Sequence, residues 1–542
     1  MRAKALRELA DHLFRKKRAL DSLWQEIGQN FYPERAFFTA NRSIGADFAS
    51  DLLTSYPMLC RRDLGNQFGT MLRPVAKPWF HIGIRHQEKV DTETKQWLQA
   101  FEDAQRRAMY DPRAKFTKAT KEGDHDFAAF GQCVISTELN LKTNALLYRS
   151  WHLRDVAWVE DENGEASTVY RKWKPSAIDL KALFGDKIHD KVAKKLIKTP
   201  YDEINVWHIV MPTDQYSEVE GCEKIKQPFV SIYIDIDNDH IMETAGQWIN
   251  MYTIPRWATV SGSQYAHSPA TVVALGDARL IQSITGTLLE AGEKAVNPPM
   301  IGIQEAMRSD MSIFAGGFTA VDADYDERLG EVLRPLNMDS SGLRFGMEVG
   351  ADIREQIMEA FFLNKLSLPP VGGPDMTAYE VGQRVQEYIR NALPLFEPVE
   401  AEYNGRLCEN TFELLLRAGA FGRPESIPKS IQGSDIKFSF ESPLREATEK
   451  AKVGQFMEAQ QVLAQAISLD PSTALIIDGK KATRDVLEAV APADWLNSEA
   501  DVEAAIDQQL QAQRDQAQLD QMQQGAAIAK DLGQANMDEM PA

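Results

Sequence analysis

Hydrophobic side chains recur at intervals of three and four residues near the start of the chain, which is the spacing of one face of an α-helix. This pattern predicts an amphipathic helix that ends near Pro33 and is built on Leu6, Leu9, Leu13, Leu20, Leu23, Trp24 and Ile27. A second, mostly helical run covers about 48–71 and contains Pro57, so we expect a kink or a break there. A third helical run, rich in charge, covers about 93–110.

The hydrophobic period becomes alternating near Phe130, which predicts β-strands. Asn163-Gly164 can supply the positive φ values of a tight turn and predicts a hairpin between 156–159 and 168–171. We expect a short helix at Ala177–Phe184 and further strands at 133–136, 146–149, 204–210, 229–236 and 253–257. The middle of the chain is therefore predicted to be an α+β domain with an antiparallel sheet.

Two further helical runs flank a turn-rich acidic segment. The first, Ala270–Val296, stops at Asn297-Pro298-Pro299, and the second covers Leu343–Phe362. A loop rich in Pro and Gly follows, after which the capping-box spacing of Thr377 and Glu380 predicts a long helix to about 419. Two antiparallel helices with a small module at their far end form a protruding stalk. The fold class predicted for the whole chain is α+β, mainly helical.

Small residues are frequent in the first stalk helix: Thr271, Gly276, Ala278, Ser283, Thr285, Gly286, Ala291 and Gly292. Small side chains would let helices of adjacent copies approach closely, and packing within one chain explains them equally well. Because stalks are commonly stabilised by neighbours in an oligomer, this architecture favours an assembly protein over a catalyst.

Composition and charge narrow the function further. The 542 residues are 44% hydrophobic and 26% charged, which suits a chain of several folded domains. The net charge of −19 disfavours a generally basic nucleic-acid binder. The sequence lacks an 18-residue apolar run, so no membrane span is expected. The four cysteines, Cys60, Cys133, Cys222 and Cys408, lie far apart and are expected to be reduced and mostly buried.

Catalytic motifs are missing from the sequence. It contains no nucleotide-binding P-loop, no G-x-S-x-G elbow and no H-E-x-x-H pair, so we predict that the protein is not an enzyme and needs no cofactor or metal. The cluster Asp235, Asp237 and Asp239 is similar to the start of a calcium loop, but His240 and Gly246 stand where that loop needs Gly and Glu. A polar turn after a strand is the preferred interpretation. A metal-dependent cytosolic enzyme that uses this cluster is the alternative.

Three groups of residues, in order along 1–425, are similar to a known family. They are Leu53-Thr54-Ser55-Tyr56-Pro57-Met58 with Arg61-Arg62-Asp63-Leu64-Gly65 and Met71-Leu72-Arg73-Pro74; Pro255-Arg256-Trp257 through Gly262-Ser263-Gln264-Tyr265 to Ser268-Pro269; and Ala360-Phe361-Phe362-Leu363-Asn364 with Met376-Thr377-Ala378-Tyr379-Glu380-Val381, Arg384 and Glu387. The chain resembles the portal, or head-to-tail connecting, proteins of short-tailed bacteriophages. It departs from them at Ser263, where the family usually has an acidic residue.

The resemblance implies a ring, typically of twelve copies, at one vertex of the capsid in the virion, assembled in the host cytoplasm. Its parts would be a wing of N-terminal helices and antiparallel sheet (1–268), a stem helix (269–298), a clip (299–342), a returning stem helix (343–363), a tunnel loop (364–376), a wing helix with the following segment (377–440), and a crown with a flexible tail (441–542). Another neck-ring structural protein is the alternative within this class.

The resemblance also implies partners and sites. Double-stranded DNA would pass without sequence specificity, the terminase large subunit would dock during packaging and the tail adaptor afterwards, and capsid protein and scaffold would surround the ring; no membrane contact is expected. The tunnel-loop residues facing DNA would be Lys365, Ser367, Pro369, Pro370, Gly372 and Gly373. The partner-docking residues of the clip would be Arg308, Asp322, Asp324, Asp326, Glu327, Arg328, Glu331 and Arg334. Twelve chains would carry roughly −228 in total, a charge that discourages phosphate from adhering.

Overall fold

The computed structural model of the chain describes residues 2–41, 45, 47–49, 51–75, 78–85, 92–140, 142–219, 225–296, 298–302, 333–335, 341–366, 399–422 and 435–440, with a few isolated positions beyond 458. The chain divides into two compact units. The first comprises 1–81, 103–422 and 440–442, and the second comprises 82–102, 423–439 and 443–542.

The helices within the described residues are α1 (Arg2–Phe31), α2 (Tyr56–Leu72), α3 (Thr92–Met109), α4 (Phe116–Phe130), α5 (Ala177–Phe184), α6 (Asp190–Lys198), α7 (Thr213–Glu218), α8 (Pro269–Val296), α9 (Ser341–Ala360), α10 (Leu363–Leu366) and α11 (Arg406–Arg417). A short π-helix, Glu400–Gly405, leads directly into α11. The strands are β1 (Phe80–Ile84), β2 (Val134–Asn140), β3 (Ala145–Trp151), β4 (Val156–Glu160), β5 (Ala166–Trp173), β6 (Val206–Pro212), β7 (Phe229–Asp235), β8 (His240–Gln247), β9 (Tyr252–Thr253), β10 (Met300–Gly302), β11 (Leu333–Pro335) and β12 (Ile436–Phe440). The fold is α+β and mainly helical, as the sequence predicted.

The largest sheet is antiparallel and has the order β4-β5-β6-β7-β8. Its first two strands form the hairpin predicted from Asn163-Gly164, with Trp158 opposite Val169 and a positive φ of 78° at Gly164. A smaller sheet has the order β3-β2-β9, and β1 pairs with β12. The antiparallel α+β domain predicted for the middle of the chain is confirmed.

Helices cover both faces of the large sheet. Leu6 and Ala10 of α1 are buried in one core with Ile209 and Ile232, which point to the same face of β6 and β7. The opposite face is covered by α5 and α6 through a second core that contains Leu180, Val192, Val206 and Met242. The first helix was predicted correctly, although Leu9, which was assigned to its apolar face, is exposed.

Two expected boundaries differ in the structure. The helix predicted over about 48–71 begins only at Tyr56, and Pro57 lies in its first turn, where its missing N–H would have no partner within the helix in any case. Pro57 therefore marks the break that was expected there, since α2 begins beside it, and the described residues of the expected helix before it are not helical. The strand expected at 253–257 is limited to Tyr252–Thr253.

The two helices predicted to form the stalk correspond to α8 and α9, which pack against each other. No membrane span was expected from the sequence, but α8 is long and apolar enough to cross a membrane by length and composition. Only 22% of its most apolar 18-residue window is buried. A helix with this much exposed apolar surface needs a further partner in water.

Candidate functional site

The predicted tunnel loop begins within the described residues. Lys365 lies in α10, so helical structure continues past the expected start of the loop at residue 364. The first residue after Lys365 that disfavours helical structure is Pro369. A sharp turn at Phe362, with φ of 57°, separates α10 from α9, and the buried ring of Phe361 lies 5.4 Å from that of Phe31. The remaining loop residues lie outside the described residues: Ser367, Pro369, Pro370, Gly372 and Gly373.

The predicted clip is closed at its base by a two-stranded antiparallel ladder. Met300 pairs with Pro335, Ile301 with Arg334, and Gly302 with Leu333. Arg334 of the predicted docking set therefore lies in β11. The other members of that set lie outside the described residues: Arg308, Asp322, Asp324, Asp326, Glu327, Arg328 and Glu331.

The helices α8 and α9, which are the predicted stem, run antiparallel and approach closely at glycines of α9. A side chain at Gly346 would meet the side chain of Leu288, and one at Gly350 would lie 4.0 Å from that of Ile284. The contact moves from Leu288 to Ile284 in α8 as it moves from Gly346 to Gly350 in α9, so the two helices are antiparallel. The glycines let the two backbones lie close, so this contact is made within one chain.

Helix α8 carries exposed apolar side chains on two of its sides. Val273 and Leu280 are 65% and 47% exposed, and Leu289 and Val296 are 54% and 88% exposed. Residues seven apart share a helix face, and at roughly 100° per residue these two pairs point in nearly opposite directions. Gly276 lies near the first pair, and a side chain there would meet nothing within 4 Å.

The base of α8 is joined to α4 through buried hydrogen bonds. Ser268 Oγ donates to the carbonyl of Ala128 at 2.7 Å, and Thr271 Oγ1 donates to the carbonyl of Ala129 at 2.8 Å. Gly131, which ends α4 with φ of 73°, lies so close to His267 that a Cβ would collide with its backbone. This junction fixes the direction in which α8 leaves the sheet-containing part of the first unit.

A buried charged cluster, which the sequence did not indicate, ties the π-helix to α2 and α4. Arg73 forms a buried ion pair with Asp124 and donates to Asn404 Oδ1 at 2.7 Å. Its guanidinium carbon lies 4.6 Å from the centre of the Tyr403 ring. Burial alone would lower the pKa of Arg73, but the Asp124 carboxylate more than offsets this and raises it. The chain that follows the predicted tunnel loop is thus anchored to Arg73 by a hydrogen bond and a ring contact.

A serine–histidine pair lies in the large sheet. His208 Nε2 is 2.8 Å from Ser231 Oγ, and His208 Nδ1 is hydrogen-bonded to the Tyr252 hydroxyl, which accepts from Arg171 Nε at 2.7 Å. Burial and the positive charge of Arg171 hold the pKa of His208 well below its ordinary value. A histidine that accepts a serine proton needs an anion behind it, and here a cation occupies that place. The network is therefore structural.

The acidic cluster of the alternative enzyme hypothesis forms a polar turn. Asp235 accepts from the backbone N–H of Asp237 and from Asn238 Nδ2, and Asp239 is paired with Arg7 at 2.6 Å. The carboxylates are occupied by different partners, and the described residues hold no group of three or more His, Cys, Asp or Glu that could bind a metal. The preferred interpretation, a polar turn between β7 and β8, is confirmed.

The described cysteines are buried free thiols: Cys60, Cys133 and Cys408. Burial raises the pKa of Cys60 to about 11 and outweighs the lowering effect of its hydrogen bond with Tyr56. The same cause raises the pKa of Cys133 and Cys408 well above the ordinary thiol value. Protonated thiols of this kind are poor nucleophiles.

Comparison with known proteins finds several relatives. A family model described as "Bacteriophage head to tail connecting protein" matches residues 3–495. The "Probable portal protein" of Bordetella phage BPP-1 is 25% identical over 434 residues, which cover 79% of this chain and 76% of that relative. The "Portal protein" of Salmonella phage epsilon15 is 20% identical over 491 residues, which cover 86% of this chain and 83% of that relative. A chain from the solved structure "Virion of native gene transfer agent (GTA) particle" aligns with a TM-score of 0.33 and 10% identity, over 77% of this chain and 90% of that chain.

Proposed function

Because this chain belongs to the bacteriophage head to tail connecting protein family, it is a viral portal protein, and we propose that typically twelve copies close into a ring at one capsid vertex. Double-stranded DNA passes through the centre of the ring, inward during packaging and outward during ejection. The ring docks the terminase large subunit first and the tail adaptor later, and contacts capsid protein and scaffold. Energy for translocation comes from a separate motor, since the sequence offers no nucleotide site.

The two exposed apolar sides of α8 carry this proposal. A closed ring is built from heterologous contacts, in which each copy uses one surface for the neighbour on its left and a different surface for the neighbour on its right. Val273 with Leu280 and Leu289 with Val296 supply two such surfaces, on nearly opposite sides of one helix. The open space at Gly276 allows close approach of a neighbouring helix on the first side.

Mixing two variants tests this arrangement. Val273→Glu/Leu280→Glu disables one side of α8, and Leu289→Glu/Val296→Glu disables the other. We expect neither variant to form rings by native mass spectrometry, while their mixture forms heterodimers, because each retains the surface that the other has lost. Val260→Glu, at another exposed valine outside α8, is the control and should leave rings intact. Rings in both variants would contradict the proposal.

In the channel, we assign a phosphate-contacting role to Lys365 and a hinge role to the Pro and Gly residues of the tunnel loop. One Lys365 from each copy would give the ring a single cationic belt, although each chain carries a net charge of −19. Phosphate contacts carry no sequence information, which suits a conduit that accepts any genome sequence. The mainly acidic surroundings keep DNA from adhering through many contacts at once.

At the clip, we assign the docking of terminase and adaptor to the acidic segment between β10 and β11. Its carboxylates and arginines would meet a partner of complementary charge, and charge complementarity governs association rate and specificity more than affinity. Arg334 lies in the ladder at the base of this segment. The remaining docking residues are assigned from the resemblance alone.

A further inference from the structure

The short helix α6 presents an exposed stripe of lysines, defined here as the lysine face: Lys191, Lys194, Lys195 and Lys198. The spacing of three, four and seven residues places all four on one side of the helix. Val192 and Leu196 occupy the other side and pack in the core beneath the large sheet. The stripe extends for about 10 Å along the helix axis.

These four ammonium groups have no ion-pair partner in the part of the chain that the structure describes. Neighbouring lysines do have partners, since Lys181 pairs with Asp186 at 2.5 Å and Lys187 pairs with Glu243 at 3.2 Å. Like charges three and four residues apart repel and destabilise a helix. The helix dipole favours cations in the last turn, but Lys191 lies in the first turn, where the dipole opposes it. The dipole favours Lys195 and Lys198 in the last turn, so it accounts for two of the four lysines and not for the whole lysine face.

Exposed apolar side chains flank the lysine face. Ile197 is 84% exposed and projects beside Lys194, and Tyr201, just after the helix, is 80% exposed. A large apolar residue and an aromatic residue at a charged surface are typical of a protein interface, in which they form the desolvated centre and the charged groups form the rim. A DNA backbone would use the lysines but would gain little from Ile197.

We propose that the lysine face, with Ile197 and Tyr201, binds an acidic amphipathic segment of a partner protein. The glutamate or aspartate side of that segment lies along the four lysines, and its apolar side covers Ile197 and Tyr201. The surface of α6 is basic although the whole chain carries a net charge of −19. Charge complementarity therefore favours an acidic partner at this helix. The proposal goes beyond the portal function and is independent of ring formation.

The test uses the full chain and a labelled helical peptide of about 20 residues, with leucine on one side and glutamate on the other. Fluorescence anisotropy measures its binding against a scrambled peptide of the same composition and a mixed-sequence DNA duplex. We expect the amphipathic peptide to bind more tightly than either of these. Failure of the peptide to bind, or tighter binding of the duplex, would overturn the proposal.

Variants locate the binding. Lys191→Gln/Lys194→Gln/Lys195→Gln/Lys198→Gln should weaken peptide binding about tenfold, and the corresponding four-arginine variant should retain it. Ile197→Ser/Tyr201→Ser should weaken it several-fold while leaving residual duplex binding unchanged. The matched control replaces four other exposed lysines by glutamine, Lys16, Lys118, Lys121 and Lys142. Equal weakening in this control, or no effect of the serine variant, would refute the assignment to α6.

Discussion

Arg73 and Asp124 form an ion pair that is buried in the first unit, and Arg73 also binds Asn404 in the π-helix. Three segments distant in sequence, α2, α4 and the π-helix, therefore meet at one guanidinium group. A buried ion pair contributes little net stability compared with apolar residues of the same volume, but the loss of one partner leaves an uncompensated charge. The hydrogen bond from Arg73 to Asn404 therefore helps to fix where the chain lies after the predicted tunnel loop.

Removing the cation of this pair should destabilise the first unit strongly. Arg73→Ala leaves Asp124 buried without its partner, and we expect a loss of about 3–5 kcal/mol in the free energy of unfolding. Chemical denaturation of the full chain measures it. Lys181→Ala, which breaks an exposed pair, is the control and should cost less than about 1 kcal/mol. Similar losses in the two variants would contradict the role of burial.

Buried histidines should make the fold sensitive to mild acid. Burial, with Arg61 nearby, lowers the pKa of His125 to about 4, and burial with Arg35 nearby lowers that of His152 to about 3. In the unfolded chain both have pKa values near 6.5. The folded state thus binds fewer protons, so these residues stabilise it above pH 6.5, and this stability is lost as pH falls toward 4.

Melting temperatures measured between pH 7.5 and pH 5 check this dependence. His152 Nδ1 accepts from the backbone N–H of Arg154 at 3.0 Å, and an asparagine side-chain oxygen can take over that role. His152→Asn should therefore show a smaller fall in melting temperature on acidification than the unmodified chain. His12→Asn, at an exposed position, is the control. An unchanged fall in the His152 variant would show that this residue does not cause the sensitivity.

The role proposed for Lys365 predicts a separation of assembly from DNA retention. Lys365→Ala should leave the ring intact by native mass spectrometry, since α10 tolerates alanine. The amount of DNA held in filled heads, measured by nuclease protection, should change. Lys365→Arg preserves the charge and should behave as the unmodified chain does. A variant that fails to form rings would refute the position assigned to this loop.

Deletion of the central clip predicts a loss of docking without loss of folding. Removing Met307–Glu331 leaves both strands of the ladder, β10 and β11, in the chain. We expect the circular dichroism spectrum to retain the signature of the first unit, while capture of the terminase large subunit is abolished. Unchanged packaging in vitro would show that terminase docks elsewhere.

The parts of the fold that the sequence predicted are those determined by local pattern. Asn163-Gly164 fixed the hairpin because few residue pairs fit its turn. The bounds of α5 follow from Ser176, whose side chain caps the helix, and from Gly185, where the helix ends with φ of 59°. The separation of α8 from α9 followed from the Pro residues between them. Such signals need no knowledge of distant residues.

The features that were missed depend on distant residues or weak patterns. Arg73, Asp124 and Asn404 lie far apart in sequence, and each is an ordinary polar residue of a helical segment. β8 contains few apolar residues and is an edge strand, so its pairing with β7 defines it more than its composition does. The helix was predicted to start too early, near residue 48, although proline is favoured in a first helical turn and Pro57 marks the true start of α2.

The ladder formed by Met300–Gly302 and Leu333–Pro335 holds the two ends of the intervening segment side by side. The two strands of the ladder therefore hold the ends of this segment side by side, whatever residues connect them. Doubling the length of a flexible connection costs only about 0.6 kcal/mol. Lengthening this segment should therefore cost little stability, because its two ends stay paired in the ladder.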